Sequence, residues 1–278
     1  MFNAKEREHY FMLAAVRYVL LEHYNNASRI WKLARDNTKR QVMRTTLGVG
    51  WIVFHDLVYF AVFIIVRYLI AGAREINGVV FIVYMLVGLI TWFFMSDIIS
   101  SCANSIKRNK AIMYSINFPT IILPTIEVLA IVYKRLFSIG LMLLVVWAFG
   151  YTDYVQPLLL LYYFLSMIIL MIAFSLTFSA ITAISHDFEQ LYRAFTRILI
   201  YSVPILWSFE QVHGNRWAEV LLKMNPFTYV VIGIRHSLLH TMGIGWDYTF
   251  FFWTVVTTLF CVGSFLQYKL RKYYADYI

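Results

Sequence analysis

The chain has 278 residues, 61% of them hydrophobic, 18% aromatic and only 14% charged, with a net charge of +9. Soluble domains carry about 25% charged and 45–50% apolar residues, so this composition marks an integral membrane protein with no large water-soluble domain and no catalytic engine of its own. The positive charge suits nucleic acid, anionic lipid or an anionic substrate, but the basic residues flank apolar segments and form no soluble patch, which argues against nucleic acid.

The chain opens on MFNAKEREHY, which is charged and unlike a secretory signal. Residues 10–21 are apolar but fall short of the roughly 20 needed to cross a bilayer, so they are expected to lie along the surface. The stretch IWKLARDNTKRQVMR at 30–44 is amphipathic. Ile30, Leu33, Ala34 and Val42 share one side, and Arg35, Lys39, Arg40 and Arg44 spread over the other. That pattern predicts a helix lying in the interface of an anionic leaflet, with a plain solvated basic stretch as the blander reading.

Apolar segments at 48–70 and 79–100 read as spans one and two, joined by the short loop AGAREING. A basic linker, NSIKRNKAIMYS, precedes span three, which runs to 149 and carries Pro119 and Pro124 in its first part. The whole segment exceeds the ~30 Å hydrocarbon core, so the proline-bearing part is expected to be a bent or separate lead-in helix. Span four is read at 157–184, span five at 191–209 and span six at 248–268.

Between spans five and six, a polar patch is followed by VLLKM and then NPFTYVVIGIRHSLLHTMGIGW. Each piece is too short to cross beside Asn225-Pro226, so the pair reads as a re-entrant hairpin or as interfacial helices. A pore cap or gate has that shape, and its candidate residues are Asn225, Pro226 and Arg235.

Lysine and arginine set the orientation. Seventeen of the 24 fall in the N-terminal tail, the 101–115 linker, the 185–197 segment and the C-terminus. Four, Arg74, Arg216, Lys223 and Arg235, fall on the opposite side. Both termini are therefore expected in the cytoplasm and the hairpin outside. The expected architecture is an all-α integral membrane protein with six transmembrane helices. A cytoplasmic region (1–47) bearing the amphipathic helix precedes the membrane domain (48–278).

Neither G-x-x-x-x-G-K-[ST], a Rossmann glycine pattern nor G-x-S-x-G occurs. His236 and His240 share a helix face but offer too few ligands for zinc, and His186-Asp187-Phe188-Glu189 is likewise weak as a ligand set. Cys102 and Cys261 suggest no disulfide framework. Charges inside spans cost a few kcal/mol each and usually face a bundle interior or a wet cavity. Asp56 shares a face with Arg67, and Glu127 with Lys134, while His55 and Arg135 sit beside members of these pairs. If Lys134 and Arg135 face a cavity, it is cationic and suits phosphate-bearing cargo; snorkelling to the interface is the alternative. Phe54, Tyr59, Phe63, Tyr84 and Tyr201 fall at mid-span, where they could line a glycan path, although lipid-facing packing explains them more simply. The polar segments 104–115 and 185–193, with Lys107, Arg108, Asp187 and Glu189, have the form of rigid contacts for an external motor. A membrane enzyme acting on polyprenyl phosphates would need an acidic cluster, for which only Asp97 and His186-Asp187 are scattered candidates.

Taken in order, IWKLARDNTKRQVMR, TLGVGWIVFHDLVYF, NFPTIILPT, AITAISHDFEQLYRAF, SVPILWS and KMNPFTYVVIGIRHSLL resemble the permease subunit of an ABC-2 type exporter of the polysaccharide and teichoic acid group. The resemblance covers residue 30 to the C-terminus. The stretch from Asn117 to Thr125 and the 202–208 turn look most like wall teichoic acid permeases, with O-antigen and capsule permeases as near neighbours. One departure is His186-Asp187, where many relatives have Arg-Asp. The resemblance implies two paired permease chains and two separate ATPase subunits that bind ATP and magnesium, this chain holding no cofactor or metal of its own. It also implies a long anionic glycopolymer on undecaprenyl diphosphate as cargo, entering between spans one and five. The helix at 30–44 would meet the lipid head group, and the hairpin would form the outer gate.

Overall fold

The computed structural model describes residues 4–43, 48, 50–71, 75–76, 78–109, 118–205, 207 and 216–274. Apart from a two-stranded hairpin, its regular elements are helical. In chain order the helices are α1 (Ala4–Asn25), α2 (Ala27–Met43), α3 (Gly50–Ala71), α4 (Phe81–Cys102), α5 (Ser105–Arg108), α6 (Leu123–Ala148), α7 (Pro157–Ile184), α8 (His186–Leu199), α9 (Arg216–Lys223), α10 (Pro226–Leu239) and α11 (Trp246–Leu270). The strands β1 (Glu75–Ile76) and β2 (Val79–Val80) pair antiparallel, Glu75 opposite Val80, with Gly78 supplying the left-handed turn at φ +73°.

The bundle is organised around α4. Its sequence is apolar on all sides, and a helix of that kind must be covered on all sides. It is covered accordingly by α6, α7 and α10, so that Met85, Val87, Met95, Ile98 and Ile99 are fully buried. Helices α4, α6, α7 and α11 are long and apolar enough to cross a membrane. Prolines in the first turn start α6, α7 and α10, where a missing N–H costs nothing. α7 and α11 approach closely because Gly263 has no side chain: a Cβ there would lie 2.8 Å from the Thr177 backbone nitrogen. Thr177 Oγ1 then donates to the Leu259 carbonyl at 2.9 Å across the same contact.

α3 has 22 residues, about 33 Å of helix and enough to span. It touches α4 and α6 on one side and leaves Trp51, Phe54, Leu57, Tyr59, Ile65 and Leu69 exposed.

Three expectations change. The lead-in to span three is a 3-10 turn, Thr120–Ile122, that runs directly into α6, so Pro124 begins the helix and does not bend it; Asn117 lies outside the described residues. Residues 10–21 do not stand alone but belong to α1, which crosses the end of α11. There Phe11 packs edge-on against Phe265 and Tyr268, and Arg271 lies 4.6 Å over Tyr18. The helix read at 191–209 starts earlier and stops earlier. Ser185 caps α8, its Oγ accepting from the Phe188 N–H at 3.2 Å, with Asp187 and Glu189 in the first turn where the helix dipole favours them. At the other end a 3-10 turn, Ile200–Ser202, gives way to extended backbone at Val203, because the residue before Pro204 is driven out of the α region.

α4, α7 and α11 run in one direction and α6 and α8 in the other. At one end of the bundle, hereafter the basic end, lie α1, α2, α5, the start of α8 and the end of α11. At the far end lie the strands and the start of α7. α10 occupies the far half: Phe227 packs beside Trp92 and Phe174 at mid-helix, while Ser237 accepts from the Gln156 N–H at the start of α7.

Candidate functional site

Among the described residues, three clusters built on buried charged side chains hold this apolar bundle at specific points. The first lies at the basic end. On α2, Ile30 and Ala34 are buried against Ile126 and Ala130 of α6, which turns Arg35, Lys39 and Arg40 outward as exposed cations. Arg44 lies outside the described residues. Thr38 Oγ1 donates to the Ala130 carbonyl at 2.8 Å, and Asn37 Nδ2 to Glu127 Oε2 at 3.2 Å. Glu127 is buried, and its other oxygen accepts from Arg108 of α5 at 2.8 Å. The neighbouring Lys107 donates at 2.8 Å to Glu189 of α8, whose second oxygen takes Arg193. Burial pushes the Glu189 carboxyl up, but hydrogen bonds from Lys107 and Arg193 outweigh it and hold the group at about 2. Lys107, Arg108 and Glu189 are thus engaged within the protein, whereas Asp187 is exposed. Tyr192 and Thr182 close the cluster by donating to the Ile99 and Ala103 carbonyls.

The second cluster joins α3, α4 and α6. Arg135 is 3% exposed at its side chain; it reaches Asp97 through Nε at 3.0 Å and Asp56 through Nη1 at 2.5 Å. Ser138 also donates to Asp56, and Lys134 lies 3.6 Å from Asp97. Arg135 therefore presents no free cation to a cavity, because two carboxylates use it, while Lys134 remains 28% exposed. Spacing within one helix paired Asp56 with Arg67 and Glu127 with Lys134; the hydrogen-bond partners found for both carboxylates lie on other helices. The side chain of Arg67 lies outside the described residues.

The third cluster is at the far end. Arg235 of α10 is 1% exposed and has Tyr84 beneath it, its Cζ 3.8 Å from the ring centroid. Its guanidinium donates to the carbonyls of Tyr84, Pro204 and Ile205. Two of these belong to the segment where α8 has broken, so the arginine satisfies acceptors that a continuing helix would have used. Gly88 makes the room: a Cβ there would sit 2.8 Å from Arg235 Cζ. Asn225 caps α10, accepting from Phe227 N–H at 3.0 Å, and donates at 2.9 Å to Ser202 Oγ at the end of the 3-10 turn. Asn225, Pro226 and Arg235 thus join α10 to the broken end of α8. Gly88 was missed in the sequence, although a lone glycine among bulky residues in a buried helix was the available signal.

His236 and His240 stack at 5.9 Å, with their Nδ1 atoms engaged by Thr241 and Gln156. Among the described residues no group of three His, Cys, Asp or Glu could hold a metal. Asp97, one candidate for an enzymatic carboxylate, is bound by Arg135 and Lys134. An apolar cavity of about 460 Å³ between α4, α6 and α7, lined by Ile90, Phe94, Met142, Phe164 and Ile234 among others, offers no charged group to orient a polar substrate.

Apolar helices long enough to span a membrane, joined at discrete polar points, define a helical membrane protein. Residues 28–239 match the ABC-2 type transporter family, and the chain belongs to it. It is also similar to the O-antigen export system permease protein RfbA of Myxococcus xanthus, with 20% identity over 222 residues that cover 78% of this chain and 84% of that protein. The family match takes in α2 to α10 and leaves α1 and α11 outside it.

Proposed function

We propose that the chain is the permease of an ATP-driven exporter that moves a lipid-diphosphate-linked polysaccharide across a bacterial plasma membrane. The observation that carries this reading is the exposed cationic face of α2, Arg35, Lys39 and Arg40, set at the end of the bundle that holds most of the lysine and arginine. By the positive-inside rule that end is cytoplasmic. An anionic head group arriving from the inner leaflet meets charge there first.

In this reading α3 is a fifth span and α8, whose own 14 residues fall short of the ~30 Å core, completes the sixth only together with the 3-10 turn and the 203–205 segment that follow it. Two copies pair, with the exposed apolar faces of α3 and α8 flanking the lateral opening. Two ATPase subunits, carrying ATP and magnesium, dock at the basic end near Asp187. The α9–α10 hairpin lies in the outer leaflet as a re-entrant gate closed by Arg235.

The first candidate for the polymer is wall teichoic acid on undecaprenyl diphosphate, on the strength of the NFPTIILPT and SVPILWS stretches. The similarity to an O-antigen permease favours O-antigen as the second. Reconstitution with the cognate ATPase and each lipid-linked polymer decides between them: ATP-dependent uptake of one polymer and not the other names the cargo. Transport without any nucleotide-binding partner would refute the exporter reading altogether.

A further inference from the structure

Glu127 stands where the surface helix meets the segment that leads towards the ATPase side. It lies in the first turns of α6, 2% exposed, with one oxygen held by Asn37 of α2 and the other by Arg108 of α5. Lys107, next to Arg108, continues the chain of contacts to Glu189 at the start of α8. The two bonds on Glu127 differ in strength. Arg108 gives a charge-assisted bond at 2.8 Å, whereas the neutral Asn37 amide donates at 3.2 Å. The link to α2 is the one that yields first.

α2 is placed to pull on that link. Lys39 and Arg40 follow Asn37 by two and three residues on a single rigid helix, so an anion that draws those cations outward moves Asn37 with them. The α2–α6 contact packs Ile30 and Ala34 against Ile126 and Ala130 and Trp31 edge-on against Tyr133, with Thr38 adding one bond to a backbone carbonyl. Apolar packing of this kind is non-directional, so Asn37 and Thr38 set the register of α2 against α6.

We infer that the Asn37–Glu127–Arg108 contact is a cargo sensor: a diphosphate bound at the α2 cations shifts α2, changes the hold of Glu127 on α5, and so licenses the ATPase. This rests on the reading that α2 receives the head group and that α5 and α8 lead to the ATPase. Asn37 is then a positioning residue, since it contacts neither cargo nor nucleotide.

The test uses the full complex of permease and ATPase in liposomes, with undecaprenyl diphosphate as the added probe. Hydrolysis is measured with and without the probe, and probe binding is measured separately. The wild type is expected to be stimulated by about fivefold or more, the usual scale of coupling between two sites. Asn37→Ala leaves Glu127 paired with Arg108, so basal hydrolysis and probe binding persist while stimulation is lost. Asn37→Gln, whose longer amide still reaches the carboxylate, retains part of it. Equal stimulation of wild type and Asn37→Ala overturns the sensor and leaves the exporter reading standing. A wild type that binds the ATPase but is not stimulated overturns the sensor alone, whereas one that binds no ATPase overturns the exporter reading and the sensor with it.

Discussion

Replacing Gly88 with alanine tests whether Arg235 is what fastens the broken end of α8. The added methyl would lie 2.8 Å from Arg235 Cζ and closer still to Nη2. The guanidinium cannot move aside freely, because it holds three backbone carbonyls and lies over the Tyr84 ring. Hydrogen bonds to a charged group contribute about 1.5–3 kcal/mol each, so losing two of the three costs about 3–6 kcal/mol. On the scale of soluble proteins near this size, that lowers Tm by about 6 °C or more, measured by tryptophan fluorescence in detergent. The double variant Gly88→Ala/Arg235→Leu separates this mechanism from a general packing defect. With the guanidinium gone the methyl has space, so the double variant should unfold no earlier than Arg235→Leu alone. Additive losses, or a Gly88→Ala protein that melts with the wild type, would refute the reasoning.

Reversing two α2 cations, Lys39→Glu with Arg40→Glu, should cut polymer export while leaving membrane insertion intact. At about 1 kcal/mol for each basic residue near an anionic surface, head-group affinity falls by more than about tenfold. Unchanged polymer at the cell surface counts against the head-group role. Arg135→Leu leaves Asp56 without its arginine and Asp97 with Lys134 alone, and should destabilise the protein by about 3–5 kcal/mol in detergent unfolding, with Asp56→Asn recovering part of the loss. Equal melting of single and double variants would separate Asp56 from the network. Glu189, held at about 2 against its ordinary 4.5, contributes stability that is present above the ordinary value and fades as pH falls towards the lowered one. Glu189→Gln should therefore melt below wild type at neutral pH, and the gap should narrow from about pH 4.5 downward; a gap as wide at about pH 3 as at neutrality contradicts the pairing.

The parts of the fold that were legible are those set by local composition. The apolar runs gave α4, α6, α7 and α11 nearly to their ends, and the pieces on either side of Asn225-Pro226, read as too short to cross, are the short helices α9 and α10. Periodicity gave the division of α2, Ile30 and Ala34 inward against Arg35, Lys39 and Arg40 outward. What depended on neighbours was not legible. Asp56 and Arg135 are 79 positions apart, and no spacing rule within one helix links them. Span five was misjudged because hydropathy ignores backbone: its apolar run continues through Val203-Pro204, where the helix does not. Its early start was readable from Ser185 and the acidic residues after it, a capping signal that apolarity alone overrides.

How α8 is held bears on how such a protein can change state. Its packed side carries Tyr192 and Leu199, while Leu191, Phe195 and Ile198 form an exposed stripe continued by Tyr201 in the following 3-10 turn. Its polar contacts lie at the two ends: Glu189 and Tyr192 to α5 and α4 at the basic end, then Ser202 to Asn225 and the Pro204 and Ile205 carbonyls to Arg235 beyond it. Buried polar bonds are exchanged discretely, whereas apolar contacts slide, so a helix fastened this way has two defined points at which it can be released. Release at the Glu189 end frees it from α5. Release at the Arg235 end frees it from α10 and the hairpin. Because the 3-10 turn Ile200–Ser202 runs directly from α8 into the segment that carries the second fastening, a displacement imposed at one passes along the backbone to the other. The two clamps therefore hold the same segment, and breaking either alone should loosen its contact with α5 and its contact with α10 together.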